Sequence, residues 1–404
     1  MDDNLKMSKK LILIILPGKL RKIDLIRYDI EEYEKKFNHK VEIHDLIDFI
    51  HPGFEKSYAN NIKNKRLKYF NTFHGWKKYF LKINMKYLKN ILIIKGINNH
   101  DVNSYNFNFF LKKMNVKTLE FSEQQFPVNI IKKNLPKIFK NLIFSIFFNP
   151  RKIIFFIRNK IFIFLAKKNK IFPTYLVKTG NRIIPEEYVK NKVKTVSGNS
   201  FDYNMFLKSK NIKKTFKYNY GLFLEAPTPL FIGDTFLDGE KVKARGTPEK
   251  WFPSLDKFFS SIEKCKNIKI KIVPHPKVKH KSNRPKYYYG REVINKNLSE
   301  VAKNSKIIIT RDSAGISFAA LHKKPAAFIY TNEFVNQKNS FLDNQEFMAS
   351  ALGLTPINID QDFDKKKINE LFIFNKYLYK SYIKAYLTNR NDKKRNFELI
   401  GKLI

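Results

Sequence analysis

Short apolar runs, separated by longer stretches in which apolar residues recur every three or four positions, fill most of this chain. Segments 11–16, 41–45, 91–95 and 116–120 have the length and the branched, apolar character of buried strands. Between them, 24–36, 57–82 and 104–114 carry helical spacing. Strands alternating with helix-length segments predict a parallel sheet, because parallel neighbours need a crossover rather than a tight turn. Residues 1–129 are thus expected to form one Rossmann-like domain. A second series at 174–178, 193–197, 222–225, 268–273, 307–310 and 326–330 predicts another over 173–365. The spacing of Leu371, Tyr377, Tyr379, Tyr382, Ile383 and Tyr386 predicts a closing helix within 366–404 that packs back across both domains. The expected fold class is α/β with two Rossmann-like domains.

The texture changes between the two series. In 130–172, clusters dense in Phe and Ile are framed by cations such as Lys133, Arg151, Arg158 and Lys168, and no Asp or Glu interrupts them over 130–171. Such a basic, aromatic-rich helical insertion suits helices lying in a headgroup layer, where apolar burial and attraction to anionic lipid add together. Helices buried between the domains with a solvated basic face are the other reading.

Composition sharpens this picture in three ways. A chain of 404 residues exceeds what one core usually serves, and 43% hydrophobic residues with 38 Phe and 20 Tyr exclude disorder as its main theme. The formal net charge of +42 attracts phosphorylated substrates, anionic lipid or nucleic acid, although abundant Lys, Asn, Ile and Phe also reflect AT-rich coding. A single cysteine, Cys265, permits no intrachain disulfide and fits the cytoplasm. The apolar run 11–16 follows Lys9 and Lys10 like a signal peptide, but it is short and ends at Pro17-Gly18, so it reads as a first strand. No uninterrupted apolar run reaches the ~18 residues needed to cross a bilayer.

Candidate chemistry concentrates in the second series. At 306–330 the order is strand, polar loop, helix, turn, strand, with Arg311-Asp312-Ser313-Ala314-Gly315 where the chain leaves the strand and opens the helix. Backbone N–H groups of Ser313, Ala314 and Gly315 are expected to face a phosphate, with Ser313 and Ser317 adding hydroxyls and Arg311 a cation. Capping of the helix by Ser313 is compatible with that role. Upstream, an apolar strand ends in His275-Pro276-Lys277, where His275 can donate to phosphate oxygens and assist a leaving group while Lys277 adds charge. Arg291 could pair with phosphate or a carboxylate, or form a surface ion pair. Asp45, Asp101 and Glu123 lie near predicted strand ends of the first domain and are the candidate bases for an acceptor hydroxyl. No metal-ligand spacing, Walker A or dinucleotide fingerprint appears, so no metal or cofactor is expected.

The 306–330 unit with Lys324-Pro325-Ala326 resembles the C-terminal domains of GT-B glycosyltransferases and of UDP-N-acetylglucosamine 2-epimerases, and the whole would be GT-B-like. Those UDP-sugar enzymes usually carry a ribose-binding Glu in the helix after the loop, where this chain has Phe318, Ala319 and Ala320. His275-Pro276 followed by Ser313 resembles instead the His-Pro and Ser/Thr motifs of bacterial sialyltransferases and Kdo transferases. Glu225, Gly233-Asp234 and Trp251 fall in a stretch similar to bacterial surface-carbohydrate biosynthesis proteins. The resemblance implies a metal-independent glycosyltransferase of surface-polysaccharide assembly, such as capsule, O-antigen or lipopolysaccharide. Its donor would be a nucleotide sugar, such as a CMP-nonulosonic acid or CMP-Kdo-like sugar, and its acceptor a glycan or lipid-linked glycan. It would work peripherally on the inner face of the cytoplasmic membrane, at an anionic surface. A nucleotide-sugar epimerase of the same fold is the alternative; a nucleic-acid-binding protein is a further one, for which no specific motif appears.

Overall fold

A computed structural model describes residues 10–16, 18–50, 52, 62–87, 90–97, 99, 101–122, 150–181, 183–210, 219–226, 229–230, 246–275, 284–336 and 341–404. Among these residues, seven parallel strands form one sheet in the order β3-β2-β1-β4-β5-β6-β7. They are β1 (Leu11–Ile15), β2 (Lys40–Asp45), β3 (Leu67–Tyr69), β4 (Ile91–Lys95), β5 (Lys117–Phe121), β6 (Tyr175–Thr179) and β7 (Lys194–Gly198). β1 is apolar at every position and buried throughout, as a central strand covered on both faces must be. A second sheet, β12-β11-β10-β8-β9, contains β8 (Tyr220–Leu224), β9 (Lys269–Val273), β10 (Ile308–Thr310), β11 (Ala326–Tyr330) and β12 (Ile357–Asn358). Each sheet has an apolar cluster on either face. The chain is α/β with two Rossmann-like halves, as the alternation of patterns predicts.

Three expectations are corrected. β6 and β7 extend the first sheet, not the second, so the expected division at residue 173 falls inside that sheet. Periodicity identifies a strand without naming its partner; here Thr118 and Thr174 decide it, each hydroxyl accepting the other's backbone N–H, at 3.1 and 3.3 Å. β3 lies within the segment 57–82 expected to be helical. It is a three-residue edge strand, too short and too exposed to show alternation. The helix expected over 24–36 divides into Lys22–Arg27 and Ile30–Phe37, because Asp29 adopts a left-handed conformation at φ 50°. In the insertion the structure describes one helix, Pro150–Lys168; the residues before it, 130–149, lie outside the described residues. No helix among the described residues is long and apolar enough to cross a membrane.

The closing segment is a succession of short helices. Lys376–Tyr382, continued by a π turn at Ile383–Leu387, buries Tyr379 and Tyr382 in the second half. Asn396–Ile400 then buries Phe397 and Ile400 in the first. The crossing passes Gly180, whose φ is +57° and where an added Cβ would meet the Ala385 carbonyl oxygen at 2.2 Å and its carbon at 2.6 Å. Both obstacles are backbone. Gly180→Ala is therefore expected to destabilise the protein by about 2 kcal/mol or more, read as a lower urea midpoint.

Candidate functional site

Topology locates the site. From β8 the chain passes to β9 on one side, then returns across β8 to β10 on the other, so the connections diverge between β8 and β10. In open parallel sheets the crevice outside the carboxyl ends at such a divergence is where ligands bind. Glu225 follows β8, His275 lies two residues beyond β9, and Thr310 to Ala314 leave β10. The arms bearing His275 and Ser313 thus flank the end of β8, roughly two strand spacings or about 10 Å apart.

His275 is half-buried, and its backbone N–H donates to Glu225 Oε2 at 2.7 Å. The other oxygen, Oε1, accepts from the Tyr288 hydroxyl at 2.9 Å. Glu225 is itself buried at 3% exposure, and its two oxygens, each taking one donor, hold the histidine arm in one course. Glu225 had no role assigned from the sequence. The signal was a carboxylate ending the wholly apolar strand Tyr220-Gly221-Leu222-Phe223-Leu224.

On the opposite side, the Thr310 hydroxyl accepts the Ser313 N–H at 2.9 Å and donates to the Leu224 carbonyl at 3.3 Å. Ser313 caps a 3-10 turn, Ala314–Ile316, its Oγ accepting the Gly315 N–H at 3.3 Å. The short α-helix Ser317–His322 follows. Ser313 and Ala314 are half-buried at the loop surface, where a phosphate could reach them.

Four of the predicted ligands make other contacts within the fold, Arg291 in the ion pair that was its second reading. Gly315 is buried and serves packing: an added Cβ would approach Leu298 to 2.4 Å and Leu224 to 3.0 Å. Arg311 is 1% exposed, with its guanidinium over the Phe334 ring at 4.5 Å and Nη2 on Asp312 at 3.3 Å. It braces the loop from inside, and Gln345 donates to its carbonyl at 2.6 Å. The Ser317 hydroxyl turns away from the loop and donates to Asp202 at 2.5 Å. Arg291 is held by Asp256 at 2.5 Å and Glu263 at 2.9 Å, and that same Glu263 accepts the N–H of Ile270 in the amino half of β9. Its charge is committed there. Pro276, Lys277 and Glu123 lie outside the described residues.

The first half faces the same problem from its own side. Its sheet order makes connections diverge between β1 and β4, and the carboxyl edge there carries Asp45 and Asp101. Asp101 caps the helix Val102–Lys113, accepting the Ser104 N–H at 2.9 Å. Asp45 accepts the Ile47 N–H at 3.0 Å, and burial raises its pKa above the ordinary carboxylate value. Lys19, Lys63, Lys65 and Tyr69 line a cavity of about 600 Å³ in this half. The halves touch where Ile23 and Ile26 pack on the second core, close to buried Asp202, whose carboxyl is pushed up by burial and partly restored by Arg27 and Ser317.

Neither a family model nor a curated sequence matches the chain. Among solved structures, a UDP-GlcNAc 2-epimerase from Methanocaldococcus jannaschii is similar over 89% of this chain and 91% of its own, at 13% identity and a TM-score of 0.44. The S. aureus MnaA-UDP co-structure covers 93% of this chain and 91% of its own, at 11% identity and a TM-score of 0.48. The wall teichoic acid polymerase TagF covers 98% of this chain and 88% of its own, at 11% identity and a TM-score of 0.47. At these values the likeness decides neither activity nor substrate.

Proposed function

We propose that the chain is a GT-B-like glycosyltransferase that takes a sugar from a nucleotide-activated donor, held at the carboxyl edge of the second sheet, to a surface glycan or lipid-linked acceptor on the first. The observation that carries this reading is the pair of arms flanking β8: His275, fixed through Glu225 and Tyr288, and the Ser313 loop, fixed through Thr310. Departure of a nucleotide concentrates negative charge on its phosphate oxygens. Preset donors lower the barrier to that departure without reorganising, and the His275 ring with the Ser313 hydroxyl supplies them. The acceptor hydroxyl loses its proton to a carboxylate on the facing edge, for which Asp101, Asp45 and Glu123 are the candidates. Arg311 and Ser317 act behind the loop, setting its position. The His275-Pro276 and Ser313 pair, together with the absence of a carboxylate at Phe318, Ala319 and Ala320, supports a cytidine nucleotide carrying an acidic sugar over a UDP-sugar. A lipid-linked acceptor puts the work at the cytoplasmic face of a membrane.

Thermal shift tests the site directly. CMP or CDP is expected to raise the melting temperature more than UDP, and His275→Ala and Ser313→Ala to abolish the rise. Equal shifts in wild type and both variants would remove the site. Turnover of a donor without acceptor would indicate an epimerase instead.

A further inference from the structure

We infer that the outward face of the helix Pro150–Lys168 is a docking surface for an anionic lipid bilayer. One side of this helix is used up against the first half. Ala166 is buried, Phe162 packs on Tyr105 with ring centroids 5.6 Å apart, and just beyond the helix Asn169 donates to the Tyr105 hydroxyl at 2.9 Å. The other side carries Ile157, Ile161 and Phe164, which are 51, 50 and 63% exposed, with Ile154 and Phe156 also exposed. Positions 157, 161 and 164 follow helical spacing and form one stripe, so the exposure is a face and not scattered side chains.

Charge identifies the occupant. The helix contains no Asp or Glu; Arg158, Lys160 and Lys168 lie along or beside the stripe, while Lys167 pairs with Glu187 at 2.8 Å. A protein groove would need both an apolar floor and fixed acids matched to those positions. A bilayer with anionic headgroups offers both everywhere, and Lys and Arg reach its phosphates while Ile and Phe enter the acyl boundary. The Lys160 ammonium lies 5.4 Å from the centre of the Phe156 ring, so cation and aromatic share this surface. The inward side packs on Val102–Lys113, which Asp101 caps at the carboxyl edge of the first sheet. Docking would therefore carry that edge to the membrane. Its use for a lipid-linked acceptor rests on the function proposed above; lipid binding itself does not.

The test is flotation of the full chain with vesicles of phosphatidylcholine alone or with added phosphatidylglycerol, at about 0.15 M salt. Wild type is expected to float with the anionic vesicles and little with the neutral ones. The triple variant Ile157→Ser, Ile161→Ser, Phe164→Ser is expected to lose at least about 10-fold in partitioning. Its melting temperature should be unchanged because these side chains touch solvent. If the triple variant does not fold, Phe164→Ser alone is expected to lose about 3-fold. Arg158→Gln with Lys160→Gln is expected to reduce anionic binding selectively. Met85→Ser, at another exposed apolar position, should change nothing. Undiminished flotation of the serine variants, equal binding to both vesicles, or self-association through this face without flotation would each overturn the proposal. Nucleotide thermal shifts are read separately, so loss of the transferase reading leaves this result intact.

Discussion

His275→Ala is expected to lower turnover with a nucleotide-activated donor by about 100- to 1,000-fold, the range for removing one preset donor to developing charge. The substitution deletes the ring but keeps the backbone N–H that Glu225 accepts at 2.7 Å, so the arm retains its course and the loss reports chemistry. His275→Asn restores a neutral donor and is expected to recover part of the rate. Glu225→Gln provides the contrast. It leaves the imidazole in place but replaces one of the two accepting oxygens with an amide NH2 that can only donate, and about a 10-fold loss is expected from a loosened arm. Release of free nucleotide in the presence of acceptor measures all three. Should His275→Ala retain more than about a third of the rate, the histidine arm has no part in transfer.

A second large effect concerns pH and arises at the contact between the halves. Asp29 is 1% exposed and receives hydrogen bonds from Asn204 at 2.6 Å and Arg395 at 3.0 Å. Burial nevertheless outweighs both partners and raises its pKa from 3.8 to about 6. The folded form then holds this proton more tightly than the unfolded chain does. Its contribution to stability is complete below about pH 4 and is lost as the pH rises through 6. Two pH units correspond to about 3 kcal/mol. Asp29→Asn removes the titration and suits the left-handed backbone at that position. The stability difference between wild type and variant, from urea unfolding at stepped pH, is expected to change by about that amount between pH 4 and 7. A constant difference across the range would place the carboxyl outside this linkage.

Much of the fold was legible because buried parallel strands announce themselves. The runs at 91–95 and 326–330 coincide with β4 and β11, and other strand segments end within a residue or two of the observed ones. What periodicity lacks is the identity of neighbours. Nothing in the spacing of 174–178 or 193–197 distinguishes the edge of one sheet from the start of another, and the Thr118–Thr174 exchange involves residues 56 positions apart. The site divides in the same way. Small polar residues after β10 pointed to a loop that binds or caps, and Ser313 caps. Whether Arg311 and Ser317 turn outward depended on Phe334 and Asp202, which belong to other parts of the chain. Glu225 was visible as a letter at a strand end. Its work became apparent only with Tyr288 folded against it, 63 positions later.

The crossing of the closing segment also sets an order of events. Asn199, at the end of β7, donates its N–H to Asn396, 197 positions later, and Phe397 and Ile400 complete the cluster that contains β1. The half made first by the ribosome is thus the half finished last. Until the closing turn arrives, Tyr33 and Phe37 lack their ring partner in Phe397. Contacts of such long sequence separation slow folding, so the first half should mature after the second and depend on chaperones in the interval.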